Sequence, residues 1–129
     1  MNIIITNNSE VPIYEQIREQ IKNMIINGEL KEGEFLPSMR LLAKELRISI
    51  ITTKRAYEEL ERDGYIESFT GKGSFVKGIN PEVEREKIIY EVEELFDQIL
   101  DKAETARITK EELMEIFNLL CEEKEKKNG

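Results

Sequence analysis

Five basic side chains, Arg40, Lys44, Arg47, Lys54 and Arg55, fall within residues 35–57 of this 129-residue chain, with Glu45 as the one acid among them. Ser38, Ser49 and Thr52 are interleaved with them. Cations at this density suit phosphate oxygens, and long cations or hydroxyls near a helix start suit the edges of bases. The chemistry on offer is recognition rather than catalysis. There is no histidine and a single cysteine, Cys121, which removes imidazole-based catalysis, the usual zinc ligand sets and an intrachain disulfide. Carboxylates are abundant but spread along helical faces, with no apolar or glycine-rich setting to tune them. No cofactor, no metal site and no enzymatic activity are expected.

A net charge of −8 would argue against a polyanionic partner if it were evenly spread, but it is not. Residues 1–79 hold 11 Lys/Arg against 12 Asp/Glu, whereas residues 80–129 hold 8 against 15. The acid therefore lies in the last third, and the basic stretch stands out locally. The clusters Glu91, Glu93, Glu94 and Glu122, Glu123, Glu125 are expected to be solvated faces. No run approaches the ~20 apolar residues of a membrane span. MNIIITNNSE has no basic leader, and its apolar run is too short for export. A soluble cytoplasmic protein with its thiol reduced is expected.

The elements that must position the basic residues follow from periodicity. After an extended segment, Asn2 to Thr6, and a polar stretch, Ile13, Ile17, Ile21, Met24 and Ile25 recur at helical spacing. Pro12 suits a first helical position and Gly28 a left-handed stop, so a helix is expected over about 12–27. Ser38 caps a short helix, Met39 to Leu46, with Leu41, Leu42 and Leu46 as candidates for burial. Ser49 caps a third helix running to about Asp63, with Gly64 as its stop. Two short helices joined by a tight turn are the elements of a helix-turn-helix. Residues 65–69 and 74–77 alternate and are joined by Thr70-Gly71-Lys72-Gly73, which predicts a β-hairpin.

Beyond a boundary at Gly78–Pro81, two further helices are expected, about 82–105 and another opened by a capping box at Thr109 and Glu112. Ile89, Val92, Phe96, Ile99, Ala103 and Ala106 form one apolar stripe, with Ile88, Leu95 and Leu100 beside it. Leu113, Ile116, Phe117, Leu120 and Cys121 share a side of the last helix, with Cys121 expected to be buried there. The end, EEKEKKNG, is expected to fray. So small a hairpin of helices cannot cover its own apolar surface, and a symmetric homodimer is the economical solution. Ile89, Val92, Phe96, Ile99, Ala103, Leu113, Phe117 and Leu120 are its candidate dimerisation residues. The expected organisation is mostly α with a small β-hairpin. It comprises a winged helix-turn-helix over 1–79 and a two-helix dimerisation or effector tail over 80–129.

PIYEQI (12–17), LPSMRLLAKEL (36–46), TTKRAYEELERDGYIE (52–67) and GKGSFV (71–76) resemble the GntR family of bacterial transcription regulators, and PIYEQI, the RAY of the third helix and the short helical tail resemble its YtrA-like subfamily. The resemblance covers nearly all of residues 10–78; the tail matches in length and helical character only. It implies a repressor that binds a palindromic double-stranded DNA operator as a homodimer, often beside an ABC transporter operon.

A helical wheel anchored on Thr53 buries Ala56, Tyr57 and Leu60 and leaves Ile51, Lys54, Arg55, Glu58 and Arg62 on the opposite face. Lys54 and Arg55 are the foremost candidates for the major groove. The resemblance implies a DNA contact for Arg40, the alternative being an ion pair with Glu45 or Glu67. Ser38 and Ser49 are caps first and phosphate contacts second. Thr52 suits a phosphate or base contact, or a bond within its own cap. Gly71, Lys72 and Gly73 resemble the family's wing tip, where Lys72 adds a cation and the glycines serve a turn, a close approach to the groove, or both. Ile50-Ile51 departs from the family's pattern. Ile50 is expected to pack, and Ile51 either meets a thymine methyl or fills a gap beside its neighbours. Two other readings stay open. One is a winged-helix module for protein contacts. The other is a switch gated by a small-molecule effector at the tail or dimer interface.

Overall fold

A computed structural model of the chain describes residues 1–7 and 10–128. The polar stretch after Thr6 and the expected frayed end reach partly outside these described residues. The element order is α1 (Ile13–Ile26), α2 (Met39–Leu46), α3 (Ile50–Arg62), β1 (Ile66–Phe69), β2 (Gly73–Val76), α4 (Pro81–Ala106) and α5 (Lys110–Asn128). The helices fall close to their expected spans. Pro12, however, is the N-cap of α1 rather than its first residue. The last helix continues to Asn128, through the residues expected to fray. The chain forms two compact units, Met1–Glu84 and Arg85–Gly129.

In the first unit, α1 turns Ile17, Ile21 and Ile25 inward against Ala56, Tyr57 and Leu60 of α3, all buried. Fully burying one such aliphatic side chain contributes roughly 1.5–3 kcal/mol, so this three-by-three contact fixes how α1 holds α3. α2 buries Leu42 and Ala43, while Leu41 is exposed, contrary to the sequence expectation. The inward stripe runs Met39, Leu42, Ala43, Leu46, at spacings of three and four, and Leu41 lies a further ~100° around the helix.

Thr53 Oγ1 donates to the carbonyls of Met39 (3.2 Å) and Ile50 (2.8 Å), and Tyr57 Oη donates to that of Pro37 (2.7 Å). These bonds tie the start of α2 to the buried face of α3. Burial within α3 begins only at Thr53, so Ile50, expected to pack, is about half exposed.

β1 and β2 pair antiparallel with Ile66 opposite Val76 and Phe69 opposite Gly73. Ile66 and Val76 face the core, and the period of two sends Phe69 and Phe75 to the other face, where their rings stack at 5.6 Å. Residues 33–36 run along the free side of β2, with Leu36 N donating to the Ser74 carbonyl at 2.9 Å. The N-terminal segment forms no strand. Gln20 and Gln16 instead hold the backbone of Ile4 and Thr6, each amide accepting that residue's N–H and donating to its carbonyl, and Gln16 donates also to the Val11 carbonyl. At the unit's end, the Tyr65 hydroxyl donates to the buried Glu84 carboxylate at 2.9 Å.

In the second unit the capping box forms as expected. Glu112 N donates to Thr109 Oγ1 (3.1 Å), and Glu112 Oε1 accepts from Thr109 N (3.2 Å). Phe96, Ile99 and Leu100 of α4 and Leu113, Phe117 and Leu120 of α5 line an apolar groove of about 320 Å³. Ala103 is buried at the α4–α5 corner, whereas Val92, Phe96, Ile99, Phe117 and Leu120 are exposed. Ile89 and Leu113 are half-buried. Cys121, expected to be buried, is exposed, and α5 has no buried residue among those described. No described helix is long and apolar enough to cross a membrane.

Candidate nucleic-acid interface

The leading turns of α2 and α3 are held side by side by the bonds from Thr53 and Tyr57, which brings Ser38 and Arg40 next to the first half of α3. Both serines cap. Ser38 Oγ accepts from Leu41 N and Ser49 Oγ from Ile51 N, each at 3.1 Å. Both caps lie at the positive ends of helix dipoles.

Arg40, Lys44, Arg47, Lys54 and Arg55 are all exposed. Among the described residues Arg40 pairs with neither Glu45 nor Glu67. Lys54 meets Glu58 at 3.8 Å, an exposed pair one helical turn apart. Such pairs contribute about 0.3–0.5 kcal/mol, little enough for a phosphate to displace. Thr52 is half-buried, and its hydroxyl makes no side-chain hydrogen bond among the described residues, so it is not spent on its own cap. Ile51 is 75% exposed, the most exposed large apolar side chain of α3. It packs against nothing that would hide it.

Arg55 makes one contact that the sequence did not suggest. Its guanidinium lies over the Tyr14 ring of α1, with Cζ 3.8 Å from the ring centroid. Sequence reasoning missed Tyr14 in this role. It saw the residue in PIYEQI, but nothing in the linear spacing links position 14 to position 55.

Arg47 was also underread. It takes a left-handed conformation (φ 57°) at the end of α2, where a glycine would be unstrained, and so forms the turn of the helix-turn-helix.

The wing joins this arrangement through Leu36, which bonds Ser74 two residues before the Ser38 cap. Gly71 (φ 79°) and Gly73 (φ 93°) both need the left-handed region, so the turn alone explains the two glycines. A side chain at Gly71 would meet nothing within 4 Å, which leaves the tip open for a close approach beside the exposed Lys72. Chemically, the surface offers cations for phosphates, exposed apolar side chains led by Ile51 and a slim hairpin.

Comparisons with known proteins bear on what this surface meets. Residues 13–76 match the family described as bacterial regulatory proteins, gntR family. The chain is 44% identical over 68 residues to the HTH-type transcriptional repressor YtrA of Bacillus subtilis, a match covering 53% of this chain and 52% of that relative. It thus spans about half the length of this relative. It is 32% identical over 112 residues to the uncharacterized HTH-type transcriptional regulator YhcF of Bacillus subtilis, covering 83% of this chain and 88% of that one. Among solved structures, YtrA from Sulfolobus acidocaldarius, a GntR-family transcription factor, is 38% identical with a TM-score of 0.58, over 70% of this chain and 95% of that one.

Proposed function

Because the chain belongs to the GntR family of bacterial regulatory proteins, whose members among its relatives are transcriptional regulators and not enzymes, we propose that it is a homodimeric repressor of a specific double-stranded DNA operator. Each protomer lays α3 in a major groove with Ile51, Thr52 and Lys54 leading. Arg40 and the caps Ser38 and Ser49 meet the flanking backbone, and Gly71, Lys72 and Gly73 enter the neighbouring minor groove. Ile51 meets a thymine methyl, the apolar mark of the major groove.

The observation that carries this reading is the set of five exposed cations within residues 35–57, of which only Lys54 pairs with an acid among the described residues. A module built only for protein contacts has no need of it. The repressor sense draws on the name of the Bacillus relative and the transporter operon on the resemblance. With residues 1–79 on DNA, the tail over 80–129 supplies dimerisation. Its support is the exposed apolar groove, in which Phe96, Ile99, Phe117 and Leu120 have no cover in one chain. A two-fold dimer predicts a palindrome with half-sites about 34–36 Å apart. Such a protein works in the cytoplasm, where its DNA lies.

Gel-shift titration against inverted repeats flanking the protein's own gene, at two salt concentrations, tests the reading. A specific shift that weakens steeply with salt is expected. No specific shift, or an affinity indifferent to salt, would overturn it. In the same assay, Ile51→Ala relaxes the preference at one A·T pair in a randomised-site selection, and an unchanged preference removes the methyl contact. A second reading, effector gating, draws on the same groove. It predicts a ligand that raises the melting temperature and releases DNA.

A further inference from the structure

We infer that Tyr14 is a positioning residue for Arg55, and that Arg55 so held grips a DNA phosphate beside the groove, setting the register of α3 rather than reading a base. The inference rests on the DNA-binding reading above. A separation of 3.8 Å between Cζ and the ring centroid puts the guanidinium in contact with the ring face. This stacking uses the face of the cation and leaves its N–H edge free to donate.

The carboxylates that would otherwise claim that edge are engaged elsewhere. Glu58 faces Lys54 at 3.8 Å, and Glu59 faces Arg18 at 3.4 Å and Arg62 at 3.5 Å. Among the described residues Arg55 has no ion-pair partner. The Tyr14 hydroxyl donates to Glu15 Oε1 at 3.2 Å, away from the ring face that meets Arg55.

Position decides between phosphate and base. Ile51, Lys54 and Glu58 follow one another at three and four residues and form the outward stripe of α3. The Arg55 head is drawn off that stripe and across to the first turn of α1, the helix packed against the buried side of α3. A recognition helix meets base edges along its leading stripe and the sugar–phosphate wall along its flanks. A free arginine loses side-chain entropy when it binds, and a fork already fixed on a ring loses less.

The test measures affinity for the specific operator and for a scrambled duplex across a salt series, using the full-length protein and its variants. Arg55→Ala is expected to weaken both duplexes by a similar factor and to lower the slope of log affinity against log salt by about 1. Tyr14→Leu is expected to cost about three- to tenfold, and Tyr14→Phe to bind as the parent does, since the ring and not the hydroxyl holds the cation. The double variant Tyr14→Leu, Arg55→Ala is expected to be no weaker than Arg55→Ala alone. If Tyr14→Leu fails to fold, Arg55→Lys carries the test, because it keeps the charge without the planar stack and should lose severalfold affinity at an unchanged salt slope. An altered base preference in Arg55→Ala overturns the phosphate assignment. Additive losses, a defective Tyr14→Phe, or an Arg55→Lys equal to the parent overturns the positioning role. If the parent itself shows no specific shift, the DNA-binding reading falls first and takes this inference with it.

Discussion

Two helix–turn–helix corners of this molecule are built alike. In each, an arginine takes φ 57° at the end of the first helix, Arg47 after α2 and Arg107 after α4. An isoleucine follows and donates its N–H back to an alanine carbonyl, Ile48 to Ala43 at 3.0 Å and Ile108 to Ala103 at 2.8 Å. Both alanines are buried, at 6% and 5% exposure, and a hydroxyl residue, Ser49 or Thr109, caps the next helix. Past the corner the two diverge. α2 and α3 close over Leu42, Thr53, Ala56 and Leu60, whereas α4 and α5 leave Phe96, Ile99, Phe117 and Leu120 exposed. The first corner has α1, whose three isoleucines complete its core; the second has no third helix in its unit. A corner is thus written by a handful of neighbouring residues, while its closure depends on what else is present to be buried against.

If a second copy supplies the missing helices of the tail, Phe117→Glu should have the largest effect. It puts a charge on the apolar groove, where desolvation has no compensating partner. The expected result in sedimentation is a single chain of 15.1 kDa instead of a pair. Operator affinity should fall on the order of 100-fold, because two half-sites no longer share one particle. A variant that stays dimeric would place the interface elsewhere and leave the contrast between the corners unexplained.

The closed corner is tested by pH. Burial, with Glu45 adding a lesser push, raises the Tyr57 phenol above its usual value, and Tyr65 is raised by burial and by its bond to Glu84. A folded phenol keeps its proton where the unfolded one, with a pKa of about 10, has lost it. The native state then binds more protons than the unfolded state, so the contribution is complete below about pH 10 and is lost as pH rises above it. Tyr57→Phe should lower stability by about 1 kcal/mol near neutral pH, through the lost bond to Pro37. It should also make the alkaline decline shallower in urea melts at pH 8 to 11, leaving the part due to Tyr65. An unchanged alkaline slope would show that Tyr57 does not carry it.

How much of this was legible beforehand follows the same division. Caps, periodicities, the hairpin and the buried stripe Thr53–Ala56–Tyr57–Leu60 are local, and the sequence shows them plainly. Errors came where two distant segments decide. Leu41 and Leu42 are equally apolar, and only the direction of α3 selects Leu42 for burial. Ile50 was expected to pack because the wheel cannot show where the core beneath a helix ends. The contact of Arg55 with Tyr14, 41 residues away, likewise has no trace in the linear spacing. Cys121 was expected to be buried on an apolar side that a single chain leaves open. The left-handed arginines carry no sequence signal, since glycine is the usual residue for that conformation.

Those arginines allow the likeness of the corners to be tested by itself. An L-residue in the left-handed region costs roughly 1–2 kcal/mol, and a glycine removes that cost while loosening the unfolded chain by a smaller amount. Arg47→Gly and Arg107→Gly should therefore each stabilise by about 0.5–1 kcal/mol. Thermal melts would read this as a small rise in melting temperature. The sign should be the same at both corners because the backbone is the same, whatever the helices beyond do. Arg47→Gly should also weaken DNA binding slightly through the lost cation, whereas Arg107→Gly, in the acidic tail, should not. If only one substitution stabilises, the matching φ values hide different local energies. In that case closure of the core, rather than the turn, holds at least one arginine in place.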